Sequence, residues 1–256
     1  DLEIALDVMA GPMERRSKGW QLNLAECNKT SLKDFKVAIW SNDELAPVAK
    51  EIAQRCEEVG NQLNSVGTTI SFVAKPEHDF MKAEINYQLL LQSVMQSGLP
   101  EDEYQKIEKL ASSLDKNDLS VDAILAKGTV LSHRNWIRQN YAREQIKISW
   151  SKFFEEWDVL ICPQLATTAI EHDHRKISER TVMVDNQEQR YFQQIFWPGL
   201  AVNAHLPSTV FPTGLSGDGM PIGLQVIGGA YEDKTTIKFA ELYEEEFKAF
   251  VVPNLD

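Results

Sequence analysis

Two pairs of residues with Ser-x-x-Lys spacing are the first candidates for catalytic chemistry in this sequence. One pair is Ser113 and Lys116, and the other is Ser149 and Lys152. On a helix this spacing places a hydroxyl and an amine on one turn, as some serine acyl-enzymes require. The Lys-Thr-Gly and Ser-Asp-Asn motifs that accompany the spacing in such enzymes do not occur in the sequence. We therefore expect neither serine to act as a nucleophile.

Four other features could bind a ligand or a metal, and each has a simpler structural interpretation. His172 and His174 could contribute to a metal site, but no third ligand accompanies them, and we predict no metal. Cys162 ends a predicted buried strand, where an unpaired cysteine is usually inert. The sequence Gly217-Asp-Gly219 lacks the spacing of a phosphate-binding loop and favours a hairpin turn. His205 lies in an apolar setting, and we expect a packed or hydrogen-bonded core histidine.

Arg143 is the charged side chain with the clearest functional potential. It lies near the middle of a long predicted amphipathic helix, next to Ala142. The predicted apolar stripe of that helix, which favours core packing, consists of Ala142, Ile146, Trp150, Phe153 and Trp157. A guanidinium close to a buried face needs a carboxylate or several carbonyl oxygens. Two interpretations remain open: a structural ion pair, or an anchor for the carboxylate or carbonyl of a substrate.

The composition indicates a globular protein and excludes several classes. The chain has 256 residues, a formal net charge of −12 and 43% hydrophobic residues, which are ordinary proportions for a folded domain. The acidic balance disfavours non-specific binding to nucleic acid or to an anionic membrane. No apolar stretch is long enough to predict a transmembrane helix. Three scattered cysteines are typical of reduced thiols, so we expect a cytoplasmic protein, and we predict no cofactor.

The elements that would position these residues follow an α/β pattern. The first predicted strand, helix and strand are spaced as in a βαβ unit with parallel strands. Strands are predicted over residues 35–40, 68–74, 158–163, 208–212 and 222–228. Helices are predicted over residues 1–10, 47–60, 131–157 and 235–250, and in parts of 77–132 and 191–203. Breaks are expected at Leu99-Pro100, Asn117-Asp118 and Pro198-Gly199, and residues 164–190 are expected to be mostly loop.

The last third of the chain resembles the amidase signature family. The residues that carry the resemblance are Trp157-Asp-Val-Leu-Ile-Cys-Pro163, His172-Asp-His174, Phe196-Trp197, Leu206-Pro-x-x-x-x-Pro-x-Gly214, Gly219-x-Pro-x-Gly-Leu-Gln-x-Ile-Gly228 and Glu232-Asp-Lys-Thr-Thr-Ile237. The opening is also similar, since residues 1–12 look like the helix that follows the family's catalytic segment. The resemblance covers nearly the whole chain and is weakest over residues 77–130.

This resemblance implies a large mixed β-sheet flanked by helices, of which residues 1–256 would be the carboxyl-terminal portion, with a helical, more variable insert over roughly 77–157. It also implies cleavage of a carboxamide by a serine nucleophile, which a cis-serine and a lysine activate. In the family those residues precede the match for Asp1, and no Gly-Ser-Ser-Gly segment occurs in this sequence. We therefore assign no catalytic residue and expect the chain alone to be inactive. The alternative is a non-catalytic, amidase-derived binding or structural fragment.

The resemblance also implies candidates for substrate binding. Arg143 looks like the helix arginine that helps hold the substrate's carboxylate in the glutamine-dependent tRNA amidotransferase branch. The partner aspartate of that branch falls near Ile195, so glutamine amidotransfer is disfavoured. Tyr191, Phe196 and Trp197 are the better candidates to line a pocket, together with the loop after Pro163, although each could equally be core. The expected partner in the full-length protein is a small-molecule amide substrate, for which an apolar or aromatic acyl group is one option, and a homo-oligomer is possible.

Overall fold

The computed structural model of the chain describes residues 1–176 and 179–253. Its helices are α1 (Leu2–Met9), α2 (Lys50–Ser65), α3 (Phe80–Met95), α4 (Glu101–Ser113), α5 (Val121–Thr129), α6 (His133–Phe153), α7 (Phe196–Ala204) and α8 (Asp233–Phe247). Its strands are β1 (Lys36–Ile39), β2 (Thr69–Ser71), β3 (Val159–Pro163), β4 (Thr181–Val184), β5 (Gln187–Arg190), β6 (Ser208–Leu215) and β7 (Pro221–Gly228). The chain forms two compact units. We call Pro76–Trp150 the helical unit, and Asp1–Lys75 with the described residues from Ser151 onward the sheet unit.

Five strands of the sheet unit form one mixed sheet in the order β2-β1-β3-β7-β6. Strand β1 is parallel to β2 and β3, whereas β7 is antiparallel to β3 and β6. The chain crosses from β1 to β2 through α2, so the βαβ unit expected from the sequence is present. All residues of the central strand β3 are buried, as is usual for a strand covered on both faces. The predicted α/β class with a mixed sheet and flanking helices is confirmed.

The two faces of this sheet carry different side chains, because successive residues of a strand point to opposite sides. On one face, Val159 and Ile161 belong to a buried apolar cluster that includes residues of α2 and α8. Within that cluster Phe239 of α8 packs edge-to-face against Phe35, with ring centroids 5.2 Å apart. Burying one such aromatic side chain contributes about 2–3 kcal/mol to folding. On the other face Cys162 lies close to the Gln225 side chain, which also contacts α7.

The helical unit contains α3, α4, α5 and most of α6. Asp79 caps α3 by accepting a hydrogen bond from Lys82 N at 3.0 Å. Asn86 Nδ2 donates to the carbonyl oxygen of Gln139 at 2.8 Å and so joins α3 to α6. The close approach of α5 to α3 depends on Gly128, because a Cβ there would lie 2.8 Å from the Gln92 side chain. The breaks predicted at Leu99-Pro100 and Asn117-Asp118 lie between α3 and α4 and between α4 and α5, respectively.

The segment before α7 contains a hairpin that was not predicted, and one expectation about α7 itself needs correction. The segment 164–190, expected to be mostly loop, contains the antiparallel hairpin β4–β5, whose turn places Asp185 at a left-handed φ of 52°. Residues 177 and 178 of that segment lie outside the described residues. The break expected at Pro198-Gly199 is wrong, because Pro198 lies in the first turn of α7, where no backbone N–H is needed.

The long helix is also shorter than expected. It ends at Phe153, so Trp157 lies beyond it, and the Trp157 ring stacks on Phe153 with centroids 6.5 Å apart. Trp150 is buried as predicted, but Ala142 is exposed, so the apolar stripe does not extend to it. Among the described residues, no helix combines the length and apolar composition that a membrane span needs.

Candidate functional site

The candidate site lies at the carboxyl ends of the parallel strands β1 and β3. In open α/β sheets, ligands bind in the crevice outside these ends, because the connecting loops diverge there. The loop after β3, residues 164–168, is tied to the start of α2 by a 2.7 Å hydrogen bond from Ala49 N to the Ala166 oxygen. The segment from Tyr191 to Trp197 reaches the same edge, since Ala166 N donates to Gln194 Oε1 at 3.0 Å. We call these two segments the edge segments.

Trp40, the residue after β1, is the centre of an aromatic cluster behind this edge. Its ring packs edge-to-face against Trp197 at 5.4 Å and against Phe196 at 6.2 Å, measured between centroids. Trp197 is fully buried, and its indole N–H donates to the Ala46 oxygen at 3.1 Å. Because Phe196 is also buried, two of the three aromatic residues proposed for pocket lining form the apolar backing of the edge segments.

Tyr191 occupies a more open position at the start of the same segment. It begins the short 3-10 helix Tyr191–Ile195, and its side chain is half-buried. The Arg180 guanidinium lies over its ring at 5.8 Å from the centroid, and the Tyr191 N–H donates to the Arg180 oxygen at 3.1 Å. Of the three aromatic candidates, Tyr191 is the one that is not buried.

Arg143 lies on α6 in the helical unit, whereas the three aromatic candidates lie together in the sheet unit. Its Nη2 donates to Oδ1 of Asn140, one turn earlier on the same helix. Its Nε is buried and has no hydrogen-bond partner among the described residues. The described contact of Arg143 is therefore a neutral amide rather than the carboxylate of an ion pair, and one donor stays available.

Gln225 is a buried residue that the sequence analysis named only as part of a motif. Its side chain is 1% exposed and connects both edge segments. Its Nε2 donates to the Pro163 oxygen at 3.0 Å and to the Trp197 oxygen at 2.8 Å. Its Oε1 accepts a hydrogen bond from Ser208 Oγ at 3.0 Å. Because one amide holds the end of β3 and the start of α7, Gln225 sets the spacing between the edge segments.

Two further glutamines at this edge were missed. Gln194 is 6% exposed, and its Nε2 is buried with no hydrogen-bond partner among the described residues. The Oε1 atom of Gln164, directly after β3, is buried and unpartnered within the same described set. Such atoms are uncommon in native proteins and call for an explanation. In both cases the sequence analysis names a neighbouring position: Ile195 directly follows Gln194, and the loop after Pro163 begins with Gln164.

Charged groups at this edge are paired with each other. Lys75 Nζ lies 4.2 Å from the centroid of the Trp40 ring and 3.6 Å from Asp43 Oδ2. The Asp43 carboxylate also accepts the Leu45 N–H at 3.0 Å. The edge segments themselves contain neutral amide side chains and aromatic rings and no charged residue. The hydrogen-bonding groups that they leave unpaired are therefore uncharged.

The remaining candidates from the sequence lie apart from this site. Ser113 Oγ donates to the Leu110 oxygen on its own helix, at 2.7 Å. Ser149 Oγ lies 3.1 Å from His78 Nδ1 in the helical unit, and burial lowers the pKa of His78 to about 4. Burial raises the pKa of the Cys162 thiol well above its ordinary value, so this cysteine stays protonated and poorly nucleophilic.

The histidine candidates do not form a metal centre in the described structure. The rings of His172 and His174 lie 6.3 Å apart, and Asp173 between them is paired with Arg175, whose hydrogen bonds lower the aspartate pKa to about 2. Within residues 1–176 and 179–253, no group of three or more His, Cys, Asp or Glu residues could hold a metal ion. The expectation that His205 is a core residue is wrong, because it is exposed and ends α7 in a left-handed conformation.

Comparison with known proteins identifies the family. A model of the Amidase family matches residues 1–237. The chain therefore belongs to the Amidase family, the amidase signature proteins, as its sequence motifs indicate.

Particular relatives cover a similar extent of the chain. A glutamyl-tRNA(Gln) amidotransferase subunit of Microcystis aeruginosa is 24% identical over 263 residues, which cover 96% of this chain and 52% of that protein. The crystal structure of the corresponding subunit from Thermotoga maritima has a TM-score of 0.65 at 16% identity, covering 95% of this chain and 50% of that one. A bacterial aryl acylamidase of the amidase signature family has a TM-score of 0.59 at 18% identity, covering 82% of this chain and 43% of that one. The chain thus spans about half the length of the curated relatives it matches.

Proposed function

We propose that this chain is the carboxyl-terminal portion of an enzyme that cleaves a carboxamide through a serine acyl-enzyme. In this proposal the chain supplies a wall of the acyl pocket, and an amino-terminal half supplies the serine, cis-serine and lysine. The family match and the absence of a Gly-Ser-Ser-Gly segment from the 256 residues support this division. The lysine would take the proton that makes the serine nucleophilic, and backbone amides would stabilise the oxyanion.

The observation that carries the proposal is the orientation of α1. Glu3 and Asp7 lie on its inner side, each with a carboxylate oxygen 3.6 Å from Lys234 Nζ of α8. Most of its apolar residues face solvent, with Ile4 69% and Val8 80% exposed, whereas Leu6 is half-buried. No residue of α1 is buried. A helix with its acidic side toward the protein and its apolar side toward water is expected to be covered by a partner surface.

The amino-terminal half of the same fold is the occupant that we propose for this surface. The structural relatives are about twice as long. Because residues 1–12 resemble the helix that follows the family's catalytic segment, we place α1 next to the amino-terminal half in the complete fold. The exposed face of α1 would then be an internal contact of the complete enzyme. The neutral character of the edge segments and the position of Ile195 favour hydrolysis of an uncharged acyl substrate over glutamine amidotransfer.

Association of the two halves tests this proposal. The amino-terminal half would be the segment encoded directly upstream of Asp1 in the same gene, added as a separate polypeptide. We expect it to bind the 256-residue chain, and we expect Val8→Lys to weaken that binding about tenfold or more, because a charge replaces a buried apolar contact. The matched control is Val94→Lys, which replaces an equally apolar residue that is 65% exposed on α3. It should change the affinity less than twofold.

Equal affinities for the two variants would contradict the role given to α1. An upstream sequence without a serine-bearing segment, or association of the halves without amide hydrolysis, would instead favour the alternative of a non-catalytic binding or structural unit.

A further inference from the structure

We propose that Gln194 and Gln164 form a subsite for an uncharged carboxamide on the substrate, separate from the amide that is cleaved. This inference rests on the proposed function and specifies the substrate class: an acyl group whose far end carries a neutral amide, rather than a carboxylate or a bare aromatic ring. The subsite is built at the edge segments, at the carboxyl ends of β1 and β3.

The orientation of the Gln194 amide is fixed by its surroundings. Its Oε1 accepts the Ala166 N–H at 3.0 Å, so the opposite end of the amide must be the NH2 group. This NH2 group is buried and unpartnered among the described residues, on a side chain that is 6% exposed. A buried donor of this kind is costly to leave unpaired, and it matches a carbonyl oxygen.

Gln164 supplies the complementary group. It lies two residues before Ala166, whose N–H contacts Gln194, so both glutamines belong to the joined edge segments. Its buried Oε1 has no donor within the described residues and can accept an N–H. We place both groups in one subsite, where a primary carboxamide, which presents a carbonyl oxygen and an NH2 group on one carbon, would pair with Gln194 and Gln164 together. A carboxylate would leave Gln164 facing another oxygen.

The subsite is rigidly supported on the side of the protein. Gln225 fixes both edge segments from the sheet, and Ala49 N holds the loop at Ala166. Because the two amide atoms are closed to solvent, a ligand enters only when the outer part of the loop, which carries the 46% exposed Leu165, shifts. The subsite would bind the far end of the acyl group, since the nucleophile of the proposed enzyme approaches from the other half.

Binding of a small diamide to the 256-residue chain tests this inference without any need for hydrolysis. The probes are succinamide, which carries two neutral amides, and succinic acid at pH 7, which carries two carboxylates. We expect succinamide to shift the side-chain NH2 resonance of Gln194 and the backbone resonances of Leu165 to Thr168 in a ¹⁵N-labelled chain. Succinate should not shift them. Gln194→Met should weaken the succinamide binding about tenfold, the effect expected from losing one buried hydrogen bond.

The control variant is Gln54→Met on α2, which replaces an exposed glutamine and should leave the binding unchanged. Three results with the 256-residue chain alone would overturn the inference: no shift of the Gln194 resonance with succinamide, equal shifts with succinate, or equal affinity in Gln194→Met. If the Gln194→Met chain does not fold, the first two results on the unmodified chain still decide the question. A shift of the Gln194 resonance only when the amino-terminal half is added would also overturn it, because that half would then be the partner of Gln194. Binding of succinamide in the absence of hydrolysis by the joined halves would refute the proposed function and leave this subsite standing.

Discussion

The replacement Gln225→Leu tests whether one buried amide holds the candidate site together. The leucine side chain has a similar volume but can neither donate to the Pro163 and Trp197 oxygens nor accept from Ser208. Each intramolecular hydrogen bond contributes about 0.5–1.5 kcal/mol to stability. Loss of three such bonds in a fully buried position therefore predicts a decrease of about 3 kcal/mol in the free energy of unfolding of the sheet unit.

Native-state hydrogen exchange is the appropriate assay, because it reports on the sheet unit separately from the helical unit. The amides of Val226 and Ile227 lie in β7 beside β3 and should exchange through unfolding of the sheet unit. A decrease of about 3 kcal/mol corresponds to exchange more than about a hundredfold faster. The exposed control Gln54→Leu should change the stability by less than about 0.5 kcal/mol. Exchange of the β7 amides in Gln225→Leu within threefold of the unmodified chain would refute the role assigned to Gln225.

Three other perturbations test the packing and the titration of single residues. Trp197→Ala removes a fully buried indole and should lower the free energy of unfolding of the sheet unit by about 3–5 kcal/mol. In a full-length enzyme the same substitution should also change the relative rates of hydrolysis among acyl groups. An unchanged substrate profile would show that Trp197 does not line the acyl pocket. Gly128→Ala should destabilise the helical unit by about 1–3 kcal/mol in urea unfolding, because the new Cβ would lie 2.8 Å from the Gln92 side chain and 3.2 Å from the Leu89 backbone. An unchanged urea midpoint of unfolding would contradict the close packing of α5 on α3. Burial lowers the pKa of His78 to about 4, so the unfolded chain takes up this proton at higher pH than the folded chain. The helical unit should therefore lose stability as the pH falls from 6.5 toward 4, and the loss should be smaller in His78→Gln. Equal pH dependence of stability in the two chains would contradict this role of His78.

The order of strands and helices could be predicted from the sequence because the relevant patterns are local. The run from Val159 to Pro163 is apolar throughout, as a buried central strand requires, and Pro47 precedes a clearly amphipathic helix. The two family motifs near the carboxyl terminus also lie in β6, β7 and the turn between them, as expected. The hairpin β4–β5 was missed because each strand has only four residues and β5 is polar throughout, so there is too little alternation to detect.

The candidate site was only partly predictable, because its contacts join residues far apart in the chain. Tyr191, Phe196 and Trp197 were found by family resemblance, but the sequence could not show that two of them form the buried backing. The role of Gln225 depends on acceptors 28 and 62 residues away in the chain. The free donor of Gln194 becomes visible only when the hydrogen bond from Ala166 N defines the orientation of its amide.

Hydrolysis of a primary amide by the 256-residue chain, with and without the amino-terminal half, tests the central proposal most directly. Release of ammonia from succinamide and from benzamide would be measured for the chain alone and for the two halves together, each before and after treatment with a serine-reactive inhibitor. We predict no release by the chain alone, and inhibitor-sensitive release by the two halves together. Inhibitor-sensitive hydrolysis by the isolated chain, or no hydrolysis by the associated halves, would contradict the account.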